Sequence, residues 1–269
     1  MRICLLVKQV PATDKVVMDA STGTIVRTGI EMVINPLDLH AVEAAVRIKE
    51  ADEAIGITVL SMGPASAVEA IREAMAMGCD DGALLSGSEF AGSDTWATAY
   101  ALSQAVRHLD GCDLIVCGER AVDGETGQVG PMVAAMLNWP VLTYVSSISI
   151  SGREIAVERV VESGRETVRC GLPALISVIR EINEPRIPTL AGKMRARRAH
   201  VPTLSSEQIG AEPECLGLEG SPTRVVKVFY PRLTRSGVVV SAEATSLEGC
   251  VELLLQHLRG REPLGRGGD

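Results

Sequence analysis

Four short apolar runs, at residues 3–7, 55–61, 82–85 and 114–117, are separated by stretches whose apolar positions recur at helical spacing. The runs predict buried strands, and the stretches predict helices over about 38–51, 65–77, 94–108 and 131–137. In the first helix Leu39, Val42 and Val46 share a face, and Asn35 followed by Pro36 supplies an N-cap and a first turn. In the second, Val68, Ile71 and Met75 repeat that spacing and Gly78 ends it. Strands alternating with one-faced helices predict an α/β protein with a doubly wound, mostly parallel sheet covered on both sides.

Three stretches depart from this alternation. Residues 16–18 and 24–27 flank the turn residues Ser21, Thr22 and Gly23, predicting a small hairpin on the sheet edge. Residues 146–150, 154–161 and 167–170 form an antiparallel group with turns at Ser151-Gly152 and Ser163-Gly164. It carries Arg153, Glu158, Arg159 and Glu162 on its wetter side and leads into the apolar run 174–179. Beyond Arg180, prolines at 185, 188, 202, 213, 222 and 231 break any long period until a helix near 247–258. The chain therefore divides into an α/β domain, 1–180, and an extended C-terminal arm, 181–269. Such an arm buries too little apolar area to offset its own ordering entropy, so it needs another surface to pack on. Lys193, Arg195, Arg197 and Arg198 form a basic cluster, read as an anion patch or as a solvated face, and 265–269 reads as a frayed end.

Composition removes several classes of function. A formal charge of −8 argues against nucleic acid as the main partner, and 3% aromatic residues leave no stacking platform for single strands. The seven cysteines are scattered, without a C-x-x-C pair, so neither a disulfide framework nor a zinc site is signalled. Small buried thiols and a reducing, cytoplasmic setting are the expectation. The first apolar run is too short for a signal peptide or a membrane span. His40, His108, His200 and His257 lack ligand-like spacing and read as surface or packing residues, and no serine sits in a nucleophile elbow.

Organised chemistry is concentrated in one loop. Gly118-Glu119-Arg120-Ala121-Val122-Asp123-Gly124-Glu125-Thr126-Gly127-Gln128-Val129-Gly130-Pro131 follows an apolar strand and leads into a helix. Glycines allow close backbone approach, proline suits a first helical turn, and unpaired amides at a helix start attract an anion. A plain strand-to-helix turn is the competing reading. Asp123 and Glu125 offer acceptors to a ribose hydroxyl or an arginine, or face water. The loop is neither G-x-G-x-x-G nor a Walker sequence. Ligands of open parallel sheets collect beyond the carboxyl ends of strands, which gathers residues 6–8, 61–63 and Gly118 at one crevice, with Asn35-Pro36-Leu37-Asp38 entering on the same side.

Together these residues resemble the β subunit of electron transfer flavoproteins from Met1 to about Leu258. The likeness rests on Val7-Lys8-Gln9-Val10, the stretch from Asn35 to Ala45, Met62-Gly63-Pro64, the stretch from Ala74 to Gly78 and the loop itself. It extends through Val157-Glu158-Arg159, Leu172-Pro173-Ala174-Leu175-Ile176 and the stretch from Asn183 to Leu190, with Ser163 as a departure inside a turn.

The resemblance implies a Rossmann-like, adenine-nucleotide-binding fold and an FAD-bearing α subunit as partner. It implies electron transfer between flavin dehydrogenases, such as acyl-CoA dehydrogenases, and an acceptor. In such proteins the β chain holds a structural AMP or a second FAD. By this analogy the contacts come from Leu6, Asn35, Pro36, Leu37, Asp38, Met62, Gly118, Asp123, Gly124, Glu125, Thr126, Gly127, Gln128 and Val129. The loop is closer to that of the electron-bifurcating members, which implies FAD and NADH-driven bifurcation, although Gly127 replaces their usual alanine. Leu190 resembles the leucine that docks on the dehydrogenase, and the helix near 247–258 is expected to dock on the α subunit. The alternatives are a simple carrier holding AMP, a stand-alone adenine-nucleotide-binding module, and a nucleotide-dependent enzyme. A proline-rich arm without a partner argues against the module, and the lack of a lysine or serine-rich pyrophosphate loop argues against a ligase.

Overall fold

A computed structural model describes residues 1–12, 31–109, 111–226, 239–241, 243 and 245–259. The expected hairpin at 16–27 and the frayed end at 265–269 lie outside the described residues. The chain forms two compact units, Met1–Val228 and Phe229–Asp269.

The first unit is built on a sheet of nine strands: β1 (Arg2–Leu6), β4 (Gly56–Met62), β5 (Asp81–Leu85), β6 (Leu114–Gly118), β7 (Val141–Ser151), β8 (Glu154–Val161), β9 (Gly164–Gly171), β10 (Ala174–Val178) and β11 (Thr203–Leu204). Their order is β11-β5-β4-β1-β6-β10-β7-β8-β9. Pairing is parallel from β11 to β7 and antiparallel through β8 and β9. Two short strands, β2 (Gln9–Pro11) and β3 (Met32–Ile34), pair separately.

Burial on both faces explains why the central strands read as continuous apolar runs. Helices α1 (Pro36–Ala51) and α2 (Val68–Met77) cover one face, where Val42, Val46, Ile71 and Met75 meet Leu5, Ile57 and Val116. Helices α3 (Thr95–His108) and α4 (Val129–Leu137) cover the other, where Leu102, Val106 and Val133 meet Leu6, Leu60 and Ile115. The chain leaves β1 toward β4 on one side and returns to β6 on the other. That reversal opens a crevice at the carboxyl ends of β1 and β6.

Several element boundaries differ from the sequence expectation, among them β7, which begins at Val141 rather than 146, and two helix starts beside the cleft. α1 begins at Pro36 rather than 38, and α4 at Val129 rather than 131, which places Pro131 third in its helix, still within the turn whose amides have no helical acceptor.

Residues 181–226, read from the sequence as an arm in need of a surface, pack on the first unit itself. β11 extends the sheet beside β5, and α5 (Leu190–Arg198) lies on α2, with Arg195 donating to the Met75 carbonyl at 2.9 Å. Helix α6 (Gly217–Gly220) lies beside the segment that precedes α3. The second unit holds α7 (Leu247–Arg259), an amphipathic helix with no buried residue. Its Leu247, Val251, Leu254, Leu255 and Leu258 are exposed at helical contact spacing.

Candidate nucleotide site

The crevice is a cleft of about 810 Å³. Its floor is apolar, from Leu6, Leu60, Met62 and Leu102; one wall is the glycine-rich loop; the other is the segment from Ser86 to Thr95.

Asp38 fixes the floor. Its carboxylate accepts the Lys8 amide at 2.8 Å and the Gly118 amide at 3.3 Å, tying together the ends of β1 and β6. Burial pushes its carboxyl up to about 7, against the opposing pull of the Asn35 side chain, the two amides and the Lys8 charge. Gly118 is required here by close approach, since a Cβ would lie 2.6 Å from Asp38 Oδ1 and 2.9 Å from the Leu37 carbonyl carbon. Asn35, expected to cap α1, makes no side-chain cap bond. Its amide instead donates to the Arg120 carbonyl at 2.9 Å and its oxygen accepts from the Val122 amide at 3.1 Å, so it pins the loop. Lys8 pairs with Asp123 at 2.7 Å, a second tie from β1 to the loop.

The loop then turns through two left-handed positions, Glu125 (φ +54°) and Gly127 (φ +62°), and enters α4. Glycine makes the second of these inexpensive, whereas Glu125 takes a conformation rare for residues with a Cβ. Gly130 serves packing, because a Cβ there would lie 2.9 Å from Cys117 Sγ. No side chain caps α4, and the amides of residues 126–130 donate to no protein acceptor among the described residues. Successive unpaired amides at a helix start form an anion cradle.

Of the residues singled out from the sequence, Leu6, Asp38, Met62, Gly118, Gly124, Glu125, Thr126, Gly127, Gln128 and Val129 line the cleft. Asn35, Pro36, Leu37 and Asp123 do not; Asn35 and Asp123 hold the loop from behind. Lys8, expected at the crevice with the end of the first strand, also lines it, whereas sequence reading missed the whole second wall, including Phe90, Asp94 and Thr95. A signal was available. Asp94 precedes a helical pattern, and its carboxylate caps α3 by accepting from Trp96 and Ala97 at 2.9 and 3.0 Å. Burial would raise the Asp94 carboxyl, but the Ala97 amide, Thr223 and the Trp96 amide hold it below the usual range.

Leu190 and Ile187 stand apart from the cleft, 75% and 87% exposed. The segment carrying them is anchored to α1. Arg186 forms bonds with Glu43 at 2.7 Å and Glu50 at 2.6 Å, and Asn183 donates to the His40 carbonyl at 2.9 Å. Glu43 is buried, yet Arg186 and Arg47 together outweigh that burial and hold its carboxyl below the usual range. His40 is thus a packing residue. Cys4, Cys79 and Cys117 are buried as expected, while the other four cysteines are half-buried and all seven are free. Among the described residues no helix is long and apolar enough to cross a membrane, and no cluster of candidate ligands suits a metal ion.

The fold is that of a Rossmann-like α/β protein with a ligand-sized cleft at its topological switch point. Comparison with known proteins gives it a family. Residues 22–208 match the model of the electron transfer flavoprotein domain. The chain is 40% identical over 264 residues to the electron transfer flavoprotein subunit beta of Megasphaera elsdenii, covering 96% of this chain and 98% of the relative. It is 39% identical to caffeyl-CoA reductase-Etf complex subunit CarD of Acetobacterium woodii, covering 90% and 92%. It is 41% identical to protein FixA of Azorhizobium caulinodans, covering 86% and 85%. The chain belongs to the electron transfer flavoprotein β-subunit family.

Proposed function

We propose that this chain is the β subunit of a heterodimeric electron transfer flavoprotein that holds an adenine nucleotide cofactor, FAD, in the cleft. The carrying observation is the row of amides at residues 126–130 that have no protein acceptor among the described residues, opening on the cleft at the uncapped start of α4. A diphosphate there would take those amides, while the apolar floor of Leu6, Leu60 and Met62 would receive a ring. FAD supplies the redox chemistry when bound, and the protein supplies position and electrostatics. No acid–base pair is required of the chain for that role. Asn35, Asp38, Lys8 and Asp123 keep the strand ends and the loop at the spacing a phosphate needs.

The reading extends to partners. An FAD-bearing α subunit is the first, and α7 offers it a row of exposed leucines. A flavin dehydrogenase, such as an acyl-CoA dehydrogenase, is the second, met by Leu190 on its anchored segment. Two relatives, a caffeyl-CoA reductase-Etf complex subunit and an acryloyl-CoA reductase electron transfer subunit, favour acyl-CoA-linked donors or acceptors. The loop sequence favours FAD over a structural AMP and, with it, NADH-driven bifurcation, in a cytoplasmic complex. Gly127 is the position that leaves AMP as the second reading. Purification with the co-expressed α subunit, followed by counting of flavin and AMP per heterodimer, tests this. Two FAD support the reading, one FAD with one AMP supports the simple carrier, and no adenine nucleotide in this chain overturns both.

A further inference from the structure

The second wall of the cleft is held from outside by chain that does not line the cleft. Ser206 donates its amide and its hydroxyl to a Glu89 carboxylate oxygen, each at 3.2 Å. Gly217, in left-handed backbone at φ +57°, lies so close that a Cβ would sit 2.5 Å from the Glu89 carbonyl oxygen. The contacts then converge on Asp94. One carboxylate oxygen caps α3, and the other accepts the amide and the hydroxyl of Thr223 at 2.9 and 2.7 Å. The Asp94 amide donates to Ser221 Oγ at 2.8 Å, and that hydroxyl donates to the Gly217 carbonyl at 2.6 Å. Pro222, between the two bonded residues, fixes the backbone and carries no donor to satisfy. One residue beyond Asp94, the Thr95 hydroxyl donates to Gln128 Oε1 at 3.2 Å. Gln128 is the N-cap of α4, where the unpaired amides are found.

Resting on the nucleotide reading above, we propose that Thr223 is a positioning residue for the nucleotide, acting through Asp94, Thr95 and Gln128 on the amide cradle. Thr223 does not line the cleft. It holds the carboxylate that fixes the start of α3, and Thr95 carries that position across to the loop. A wall supported by this charge-assisted clasp, beside the Ser206 and Ser221 contacts, stays at the separation the ligand requires. Without the clasp the free protein samples wider arrangements, and binding must select the narrow one.

The test is titration of the full-length chain with AMP and with FAD by calorimetry. Wild type is compared with Thr223→Val, Thr223→Ser, Thr95→Val and the Thr95→Val/Thr223→Val double variant, each checked by circular dichroism. Thr223→Val is expected to weaken nucleotide binding about tenfold, from loss of one charge-assisted bond. Thr223→Ser is expected to restore it, and the double variant to bind no more weakly than the weaker single. Ser221→Ala, which removes the acceptor of the Asp94 amide, should give a similar loss and serves if Thr223→Val does not fold. Wild-type affinity in both Thr223→Val and Ser221→Ala overturns the proposal, as does a Thr223→Ser variant as weak as the valine one. Additive losses in the double variant break the path. A wild-type chain that binds neither nucleotide overturns the reading of the cleft as well, and so separates the two failures.

Discussion

Two helices begin at the rim of the same cleft, and they end their backbones differently. α3 starts behind Asp94, whose carboxylate occupies its first amides, while α4 starts behind Gln128, which caps nothing. The first is a finished piece of structure. The second leaves donors that no group among the described residues accepts, at the rim of the cleft where water or a ligand can reach them. The comparison separates a helix start closed by its own side chain from one that, on the proposed reading, is left open for a ligand.

The largest expected effect comes from making the second start like the first. Gln128→Asp places a carboxylate on the amides of α4, so adenine nucleotide affinity should fall about a hundredfold by calorimetry, through competition for the same donors. Thermal stability should rise by about 0.5–1 kcal/mol in the same variant. Opposite signs in binding and stability are the signature; a variant that binds normally would show that no anion sits there. The converse change, Asp94→Ala, strips a cap and the Thr223 bonds together and should cost about 2–3 kcal/mol in denaturant unfolding.

Much of this was legible beforehand, and the misses have physical causes. The parallel sheet and its crossover helices announced themselves because burial on both faces makes uninterrupted apolar strands. Asn35 was legible as a helix start, yet its side chain reaches across to Arg120 and Val122, a partner set by tertiary packing 85 and 87 residues away. α5 was hidden because Lys193, Arg195, Arg197 and Arg198 obscure its period; Thr189 caps it, and Gly192 and Ala196 bury it. β11 is only two residues long, too short to show any period. The glycines of the loop were read as room for a ligand. Two of them, Gly118 and Gly130, instead make room for Asp38 and Cys117.

A smaller, graded effect attaches to Asp38, which supports the floor between the two helix starts. Its folded carboxyl, at about 7, lies above the unfolded value, so the folded state keeps a proton that the unfolded chain releases. The associated stability is complete below about pH 4 and is lost as pH rises through about 7. The stability gap between wild type and Asp38→Asn should therefore shrink by about 2–3 kcal/mol from pH 5 to pH 7.5, read from urea unfolding at each pH. A gap that does not change with pH would show that Asp38 does not hold that proton. The smallest expected effect on stability is that of Leu190→Ala, within about 0.5 kcal/mol, because that side chain is already in water. Nucleotide content should be unchanged while the rate of electron transfer from the dehydrogenase falls; an unaltered rate would remove Leu190 from the docking surface.

The buried Glu43 joins α1 to the segment that carries Ile187 and Leu190. Its carboxyl sits below the usual range because Arg186 and Arg47 outweigh its burial, so the attachment is complete above about pH 4.5 and weakens as acid neutralises it. Acid should therefore loosen the protruding leucine in a pH range where the proton on Asp38 favours the fold. Acidification below about pH 4.5 therefore separates two supports of one polypeptide without any substitution: it loosens the segment that carries Leu190 while Asp38 keeps the proton that favours its place in the floor.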